Sequence, residues 1–285
     1  MRLVNFETPG GYAAGLKIGD EVVDLTALGI VESVDALIAA GPDAIEQVQQ
    51  VADGIHPRLK LADLCLLPPV MAPEKAIAVG VNYHCHATEG GMRVKEFPVL
   101  FNRFPSSWVG HDAAIIKPFL SDQFDFEVEL AVIIGKAGRH IAAADALDHV
   151  FGYSVFNDGS VRDYQRKTHQ WMVGKNFDRS GSFGPELVTA DELPSGAKGL
   201  GIRTRLNGVT MQDGNTSEMI FDVASLIEAC SQAFELVPGD VIITGTPAGV
   251  GLFRDPPLFM QPGDLCEVEI DGIGVLSNPV ELEAR

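Results

Sequence analysis

The run Phe124-Asp125-Phe126-Glu127-Val128-Glu129-Leu130-Ala131-Val132-Ile133-Ile134-Gly135 places two carboxylates inside an otherwise apolar strand. Successive strand side chains point to opposite faces, so Glu127 and Glu129 share a face, roughly 7 Å apart along the chain. Two carboxylates held side by side in an apolar sheet repel one another and are driven to take up protons. A divalent cation such as Mg²⁺ removes the conflict, because hard cations prefer oxygen ligands. An arginine or lysine from a neighbouring strand would neutralise the pair as well. Any fold for this chain has to supply one or the other.

The rest of the composition narrows the setting. At 285 residues, with 46% hydrophobic and 21% charged residues, the chain is sized for one large domain plus a small one. Its net charge of −18 argues against a nucleic-acid partner, since phosphate binding needs a basic surface. No apolar run approaches the ~20 residues that span a bilayer, and Met1 to Glu7 lack the apolar core of a signal peptide. Cys65, Cys85, Cys230 and Cys266 are scattered without a disulfide or metal spacing. A reducing, cytoplasmic setting is expected.

Residues 1–70 read as a small α/β module. Leu3 to Phe6, Tyr12 to Leu16 and Glu21 to Leu25 are expected strands, and Ser33 is expected to cap a helix through Ala40 that Gly41-Pro42 ends. Leu66-Leu67-Pro68-Pro69 reads as a linker into a main domain, residues 71–285. There, Ala76 to Val81, Phe126 to Ile134, Phe151 to Phe156, Asp240 to Thr244 and Cys266 to Ile270 read as strands. One amphipathic helix is expected from a Ser217 cap through Ile220, Val223, Ala224, Ile227, Cys230 and Phe234. With few helices between strands, the class is α+β and strand-rich, with a mixed β-roll or barrel-like core rather than a doubly wound sheet.

Four further segments carry chemistry. Asp158, at the end of Gly152-Tyr153-Ser154-Val155-Phe156-Asn157-Asp158, is either a helix cap or a third oxygen ligand beside Glu127 and Glu129. Three protein carboxylates leave octahedral positions open, which suits Mg²⁺ or Mn²⁺ in a catalytic site better than a structural Ca²⁺ cage. His86 and Glu89, in Asn82-Tyr83-His84-Cys85-His86-Ala87-Thr88-Glu89-Gly90-Gly91, are spaced as a base with its orienting partner, ahead of a flexible glycine pair. The same stretch has part of a cupin metal motif, His84-x-His86 with Glu89, but the glutamate comes one residue early. Arg162 and Gln165 share a helical face after Asp158, and Lys175 follows a glycine among apolar residues, as an anion-binding lysine does. Thr244-Gly245-Thr246-Pro247 lacks the Lys-Ser/Thr ending of a phosphate loop, which leaves a small-anion pocket or a tight turn.

Taken in order, Gly80-Val81-Asn82-Tyr83 with His86 and Glu89, Asp125 to Leu130, Gly152-Tyr153 to Asn157-Asp158, Arg162 with Gln165, Gly174-Lys175, Gln212-Asp213-Gly214, Pro238-Gly239-Asp240 and Thr244 to Pro247 resemble the fumarylacetoacetate hydrolase family, in its bacterial acylpyruvase branch. The resemblance implies Glu127, Glu129 and Asp158 as ligands of Mg²⁺ or Mn²⁺ (or of Ca²⁺ in a crystal). It implies His86 as general base oriented by Glu89 on a lid, Arg162, Gln165 and Lys175 as substrate-binding and polarising groups, and Thr246 at the substrate carboxylate. Val79-Gly80-Val81 offers no counterpart to the further aspartate ligand of the metazoan hydrolase. The activity so implied is hydrolysis of the carbon–carbon bond of a 2,4-dioxo acid to release pyruvate. Oxaloacetate decarboxylation, isomerisation of 2-hydroxyhepta-2,4-diene-1,7-dioate, and a catalytically silent metal-binding β-roll are the alternatives. A homodimer is the implied assembly.

Overall fold

A computed structural model describes residues 1–284. The strand Val128–Ile134 is buried along its whole length and lies inside a long mixed sheet. On one side it pairs antiparallel with Val150–Asn157, which pairs with Gly181–Thr189, then Arg2–Thr8, Gly11–Ile18, Glu21–Asp24 and Leu59–Lys60. On its other side lie Val241–Ile243, then Ala76–Gly80 in parallel, then Val99–Asn102 at the edge. A second sheet is built from Val209–Asn215, Gly201–Leu206, Leu265–Ile270, Gly274–Leu282 and Ile115–Lys117. Both sheets have free edges, so the roll is not a closed barrel.

The alternation of the central strand explains why it is apolar on both faces. Val128, Leu130, Val132 and Ile134 enter a core shared with Ile202, Val268 and Leu276 of the second sheet and with Leu226, Ile227 and Cys230 of a helix. Ala131 and Ile133 enter the opposite core, which is closed by Leu37, Ile38, Val48 and Val51 of two N-terminal helices. Glu129 is on this second face by register, at the end where the apolar packing gives out. The sheet is continuous through the N-terminal strands: Arg2–Thr8 pairs with Gly181–Thr189, and Asn5 Nδ2 donates to Pro68 O and Pro69 O at 3.1 Å each.

One local expectation holds and three change in the structure. Ser33 does cap the helix Val34–Ala40, accepting from Ala36 N at 3.0 Å. Gly41, at φ 78°, ends it, but Pro42 then opens a second helix, Pro42–Ala52, because proline's fixed φ suits a first helical position. The amphipathic helix is Val223–Ala233, capped by Asp222 rather than Ser217. Ile220 N and Phe221 N are held outside it by Asn82 O and Asn82 Oδ1, both at 2.8 Å, and Phe234 is its C-cap. The strand expected over Phe126 to Ile134 begins at Val128, since Phe126 N donates to Asp125 Oδ1 and Glu127 N to Asn157 Oδ1 instead of to a ladder.

Leu130 is fully buried in the core between the sheets. Leu130→Ala is expected to lower unfolding stability by about 2–5 kcal/mol, measured by urea denaturation with an unchanged m-value.

Candidate metal centre and active site

The break at Phe126-Glu127 sets the site's position. Asp158 N donates to Glu127 O at 2.8 Å just where the pairing between the two central strands stops. Glu127, Glu129 and Asp158 are thereby collected at one end of the sheet, all buried, with ligand oxygens within 4.8 Å of one another. This is the trio expected from the sequence.

Three buried cations surround it. Lys175 Nζ lies between Glu127 Oε2, at 2.6 Å, and Asp158 Oδ2. Arg162 joins Asp125 Oδ2 at 2.8 Å to Glu127 Oε1 at 2.7 Å. Arg103 pairs with Asp158 Oδ1 and also donates to Gly159 O at 3.1 Å and Ser107 Oγ at 3.1 Å. Four buried carboxyl groups therefore face three cations, and the one without an ion pair among the described residues is Glu129, which accepts only from Gly245 N.

The electrostatics follow from that shortage. Burial disfavours the ionised form of Glu127, but Arg162 and Lys175 outweigh it and hold the carboxyl well below the usual carboxylate range. At Glu129, burial and the negative charges of Asp158 and Glu127 act together and raise the carboxyl well above that range. A hard divalent cation fits this donor set: it supplies the charge that Glu129 lacks, and the oxygens are already gathered. The neutralising cations come from two short helices, Arg162–Gln165 and Met172–Lys175, rather than from a neighbouring strand, and they leave Glu129 unpaired, where a divalent cation could supply the missing charge.

The other expected site residues converge on the same cavity, of about 180 Å³, lined by His86, Glu127, Glu129, Asp158, Arg162, Gln165, Lys175 and Thr246. His86 and Glu89 belong to the short helix His84–Glu89, and His86 Nδ1 is 2.7 Å from Glu89 Oε1. Glu89 Oε2 accepts from Gly249 N at 2.9 Å, which fixes the carboxylate. In the tautomer that donates from Nδ1 to Glu89, Nε2 is left as the accepting nitrogen. Arg162 and Gln165 share the helix Arg162–Gln165, and Gln165 Oε1 accepts from Arg162 Nη1 at 3.0 Å. Lys175 ends the helix Met172–Lys175, packed so closely on Gln165 that a Cβ on Gly174 would sit 2.2 Å from Gln165 N. Gly80 is under the same constraint from Trp171, whose ring would lie 2.1 Å from an added Cβ.

Thr246 is oriented by a residue with no assigned role at the sequence level. Gln212 Oε1 accepts from Val128 N at 3.1 Å and Thr204 Oγ1 at 2.7 Å, so its amide nitrogen must face Thr246 Oγ1, at 2.7 Å. That bond uses a Thr246 lone pair and leaves its hydroxyl proton for another acceptor. Asp125 and Arg103 were also missed. Asp125 accepts from Arg162, Gly251 N and Leu252 N, tying the cation to the loop beside the cavity. Arg103 follows an edge strand with no motif around it, and only the tertiary structure buries it under Asp158.

A buried cluster of three carboxylates that could hold a divalent metal thus lies beside a histidine–glutamate pair on a strand-rich roll. The chain belongs to the fumarylacetoacetate hydrolase family: the model of the fumarylacetoacetate (FAA) hydrolase C-terminal domain matches residues 75–281. It is 41% identical over 288 residues to the mitochondrial oxaloacetate tautomerase fahd2 of Xenopus laevis, covering 98% of this chain and 90% of that one. Among solved structures it resembles the fumarylacetoacetate hydrolase of psychrophilic Exiguobacterium antarcticum (36% identity, TM-score 0.87, covering 99% of this chain and 100% of that one). It also resembles maleylpyruvate hydrolase from Sphingobium sp. SYK-6 in complex with manganese(II) and pyruvate (32% identity, TM-score 0.84, full coverage of both chains). Members of this family are enzymes, and no helix among the described residues is long and apolar enough to cross a membrane.

The raised Glu129 carboxyl would make metal uptake a proton-linked event. In the metal-free protein Glu129 stabilises the fold most below the unfolded carboxyl's pKa of ~4.3, and that contribution is lost as pH rises through the folded value. Mn²⁺ titrations in buffers of different ionisation enthalpy should show proton release on binding and affinity that rises with pH. In Glu129→Gln the proton release should disappear and affinity should fall at least tenfold.

Proposed function

We propose that this protein is a divalent-metal-dependent enzyme that interconverts the keto and enol forms of a small 2-oxo dicarboxylic acid of the oxaloacetate type. The observation that carries this is the His86–Glu89 pair on the wall of a cavity that also holds the three-carboxylate cluster. The cavity, at about 180 Å³, is below the ~300–1,000 Å³ of pockets for drug-sized ligands, and it favours a short acid over an extended dioxo acid. The tautomerase name of the 41%-identical relative supports the same reading, although keto–enol exchange as such was not foreseen from the sequence.

A cation held by Glu127, Glu129 and Asp158 would supply Lewis-acid charge toward the 2-oxo group. The chain's own groups do the rest. Thr246 Oγ1–H and Gln165 Nε2 bind the carboxylate end of the substrate. Lys175 and Arg162 keep positive charge beside the oxygens where negative charge develops. His86 Nε2 removes a proton from C3, the electron pair moves to the 2-oxo oxygen, a proton from solvent water there gives the enol, and the imidazolium returns its proton to solvent. In the reverse direction the imidazolium returns a proton to C3, and Glu89 stabilises its charge.

A second reading, hydrolysis of the carbon–carbon bond of an acylpyruvate, has the support of the maleylpyruvate hydrolase likeness. It requires His86 to activate water instead of drawing a proton from carbon. Oxaloacetate decarboxylation and dienoate isomerisation pass through a related enolate and share the same binding groups. The cytoplasmic setting is part of the proposal; the word mitochondrial belongs to the relative's name.

With Mn²⁺ or Mg²⁺ present, the wild type should accelerate ketonisation of enol-oxaloacetate in stopped-flow absorbance, EDTA should abolish the effect, and His86→Ala should lower kcat by at least about 10²-fold. Faster pyruvate release from 2,4-dioxo acids than ketonisation of oxaloacetate, compared as kcat/KM, would favour the hydrolytic reading instead.

A further inference from the structure

Three basic side chains besides His86 line the cavity: Arg162, Arg166 and Lys175. Arg162 and Lys175 are committed to the buried carboxylates. Arg166, one residue past the Arg162–Gln165 helix, has no carboxylate partner among the described residues. Its Nε donates to Arg162 O at 3.3 Å and its Nη2 to Gln123 Oε1 at 3.1 Å. Gln123 in turn accepts from Arg162 N through its backbone oxygen, at 2.9 Å. Both acceptors of Arg166 are neutral, so they orient the guanidinium without cancelling its charge. The only acidic side chains lining the cavity are Glu127, Glu129 and Asp158. Among the described residues Nη1 has no partner, and the side chain is exposed to solvent.

We infer that Arg166 is a specificity-determining residue that binds the second, distal carboxylate of the substrate. The inference rests on the proposed 2-oxo dicarboxylic acid reading and deepens it by naming the residue that meets the distal carboxylate. One end of a 2-oxo dicarboxylic acid is engaged at the carboxylate cluster, Thr246 and Gln165. The other end needs a cation that is not already neutralised, and Arg166 is the one the cavity offers. A guanidinium presents planar paired donors to a carboxylate, which a neutral or shorter tail cannot use. The apolar remainder of the wall, Val79, Phe101, Leu252 and Phe253, offers a distal carboxylate no competing partner.

The test compares oxaloacetate with its 4-methyl ester, which keeps the 2-oxo acid and masks the distal charge. Solvent-deuterium exchange at C3 and ketonisation rate are read in wild type, Arg166→Gln and Arg166→Lys, each loaded with Mn²⁺. The kcat/KM ratio of diacid to ester should fall roughly tenfold in Arg166→Gln, through KM rather than kcat. That is the low end for a charge-assisted hydrogen bond, because the side chain is exposed. Arg166→Lys should recover part of the ratio, and the rise of KM with ionic strength should weaken in Arg166→Gln. An unchanged ratio in Arg166→Gln, or a wild type that does not prefer the diacid, overturns the assignment and leaves the enolisation reading standing. A wild type that enolises neither compound fails the enolisation reading itself.

Discussion

The structure depends on an imbalance of buried charge. Glu127, Glu129, Asp158 and Asp125 are gathered at the end of one sheet, against Arg103, Arg162 and Lys175. Isolated buried charges cost several kcal/mol each, and Asp125, Glu127 and Asp158 each touch a cation that offsets this. Glu129 is left with a backbone N–H. That single deficit is what a divalent cation would fill, and the raised Glu129 carboxyl would link its binding to proton release.

The fold produces the deficit by geometry. The central strand is locked between two apolar cores, so its register cannot slip without exposing one set of side chains. With the register fixed, Glu129 is held on one face, and the side-chain caps from Asp125 and Asn157 turn Glu127 and Asp158 toward it. The histidine–glutamate helix is hung from a different strand, Ala76–Gly80, and pinned to the Thr246–Gly249 loop through Glu89. The base and the carboxylates thus come from separate elements, and small changes in the loop can shift one without the other. This is a physical reason for the family to host several reactions on one scaffold.

Much of this was legible because it is local. Alternation places Glu127 and Glu129 together, three-residue spacing places His86 with Glu89 and Arg162 with Gln165, and an acid at a strand end stands out. What was not legible depends on long-range pairing. Arg103 meets Asp158 across 55 positions, Gln212 meets Val128 across 84, and Asp125 meets Gly251 across 126. No periodicity reports such contacts. The errors of element boundary have the same origin: Asn82 holds Ile220 and Phe221 out of the helix, and Asn157 takes the amide of Glu127. The Pro42 helix is a different failure, since Gly-Pro ends one helix and also starts the next.

The central claim is that the three carboxylates are a divalent-metal centre short of one positive charge. It is tested most directly by anomalous scattering from a crystal soaked in Mn²⁺. The account predicts one strong peak bonded to Glu127, Glu129 and Asp158, with Lys175 Nζ withdrawn from between Glu127 and Asp158. A map with no peak among these oxygens, and Lys175 still bridging two of them, would contradict it.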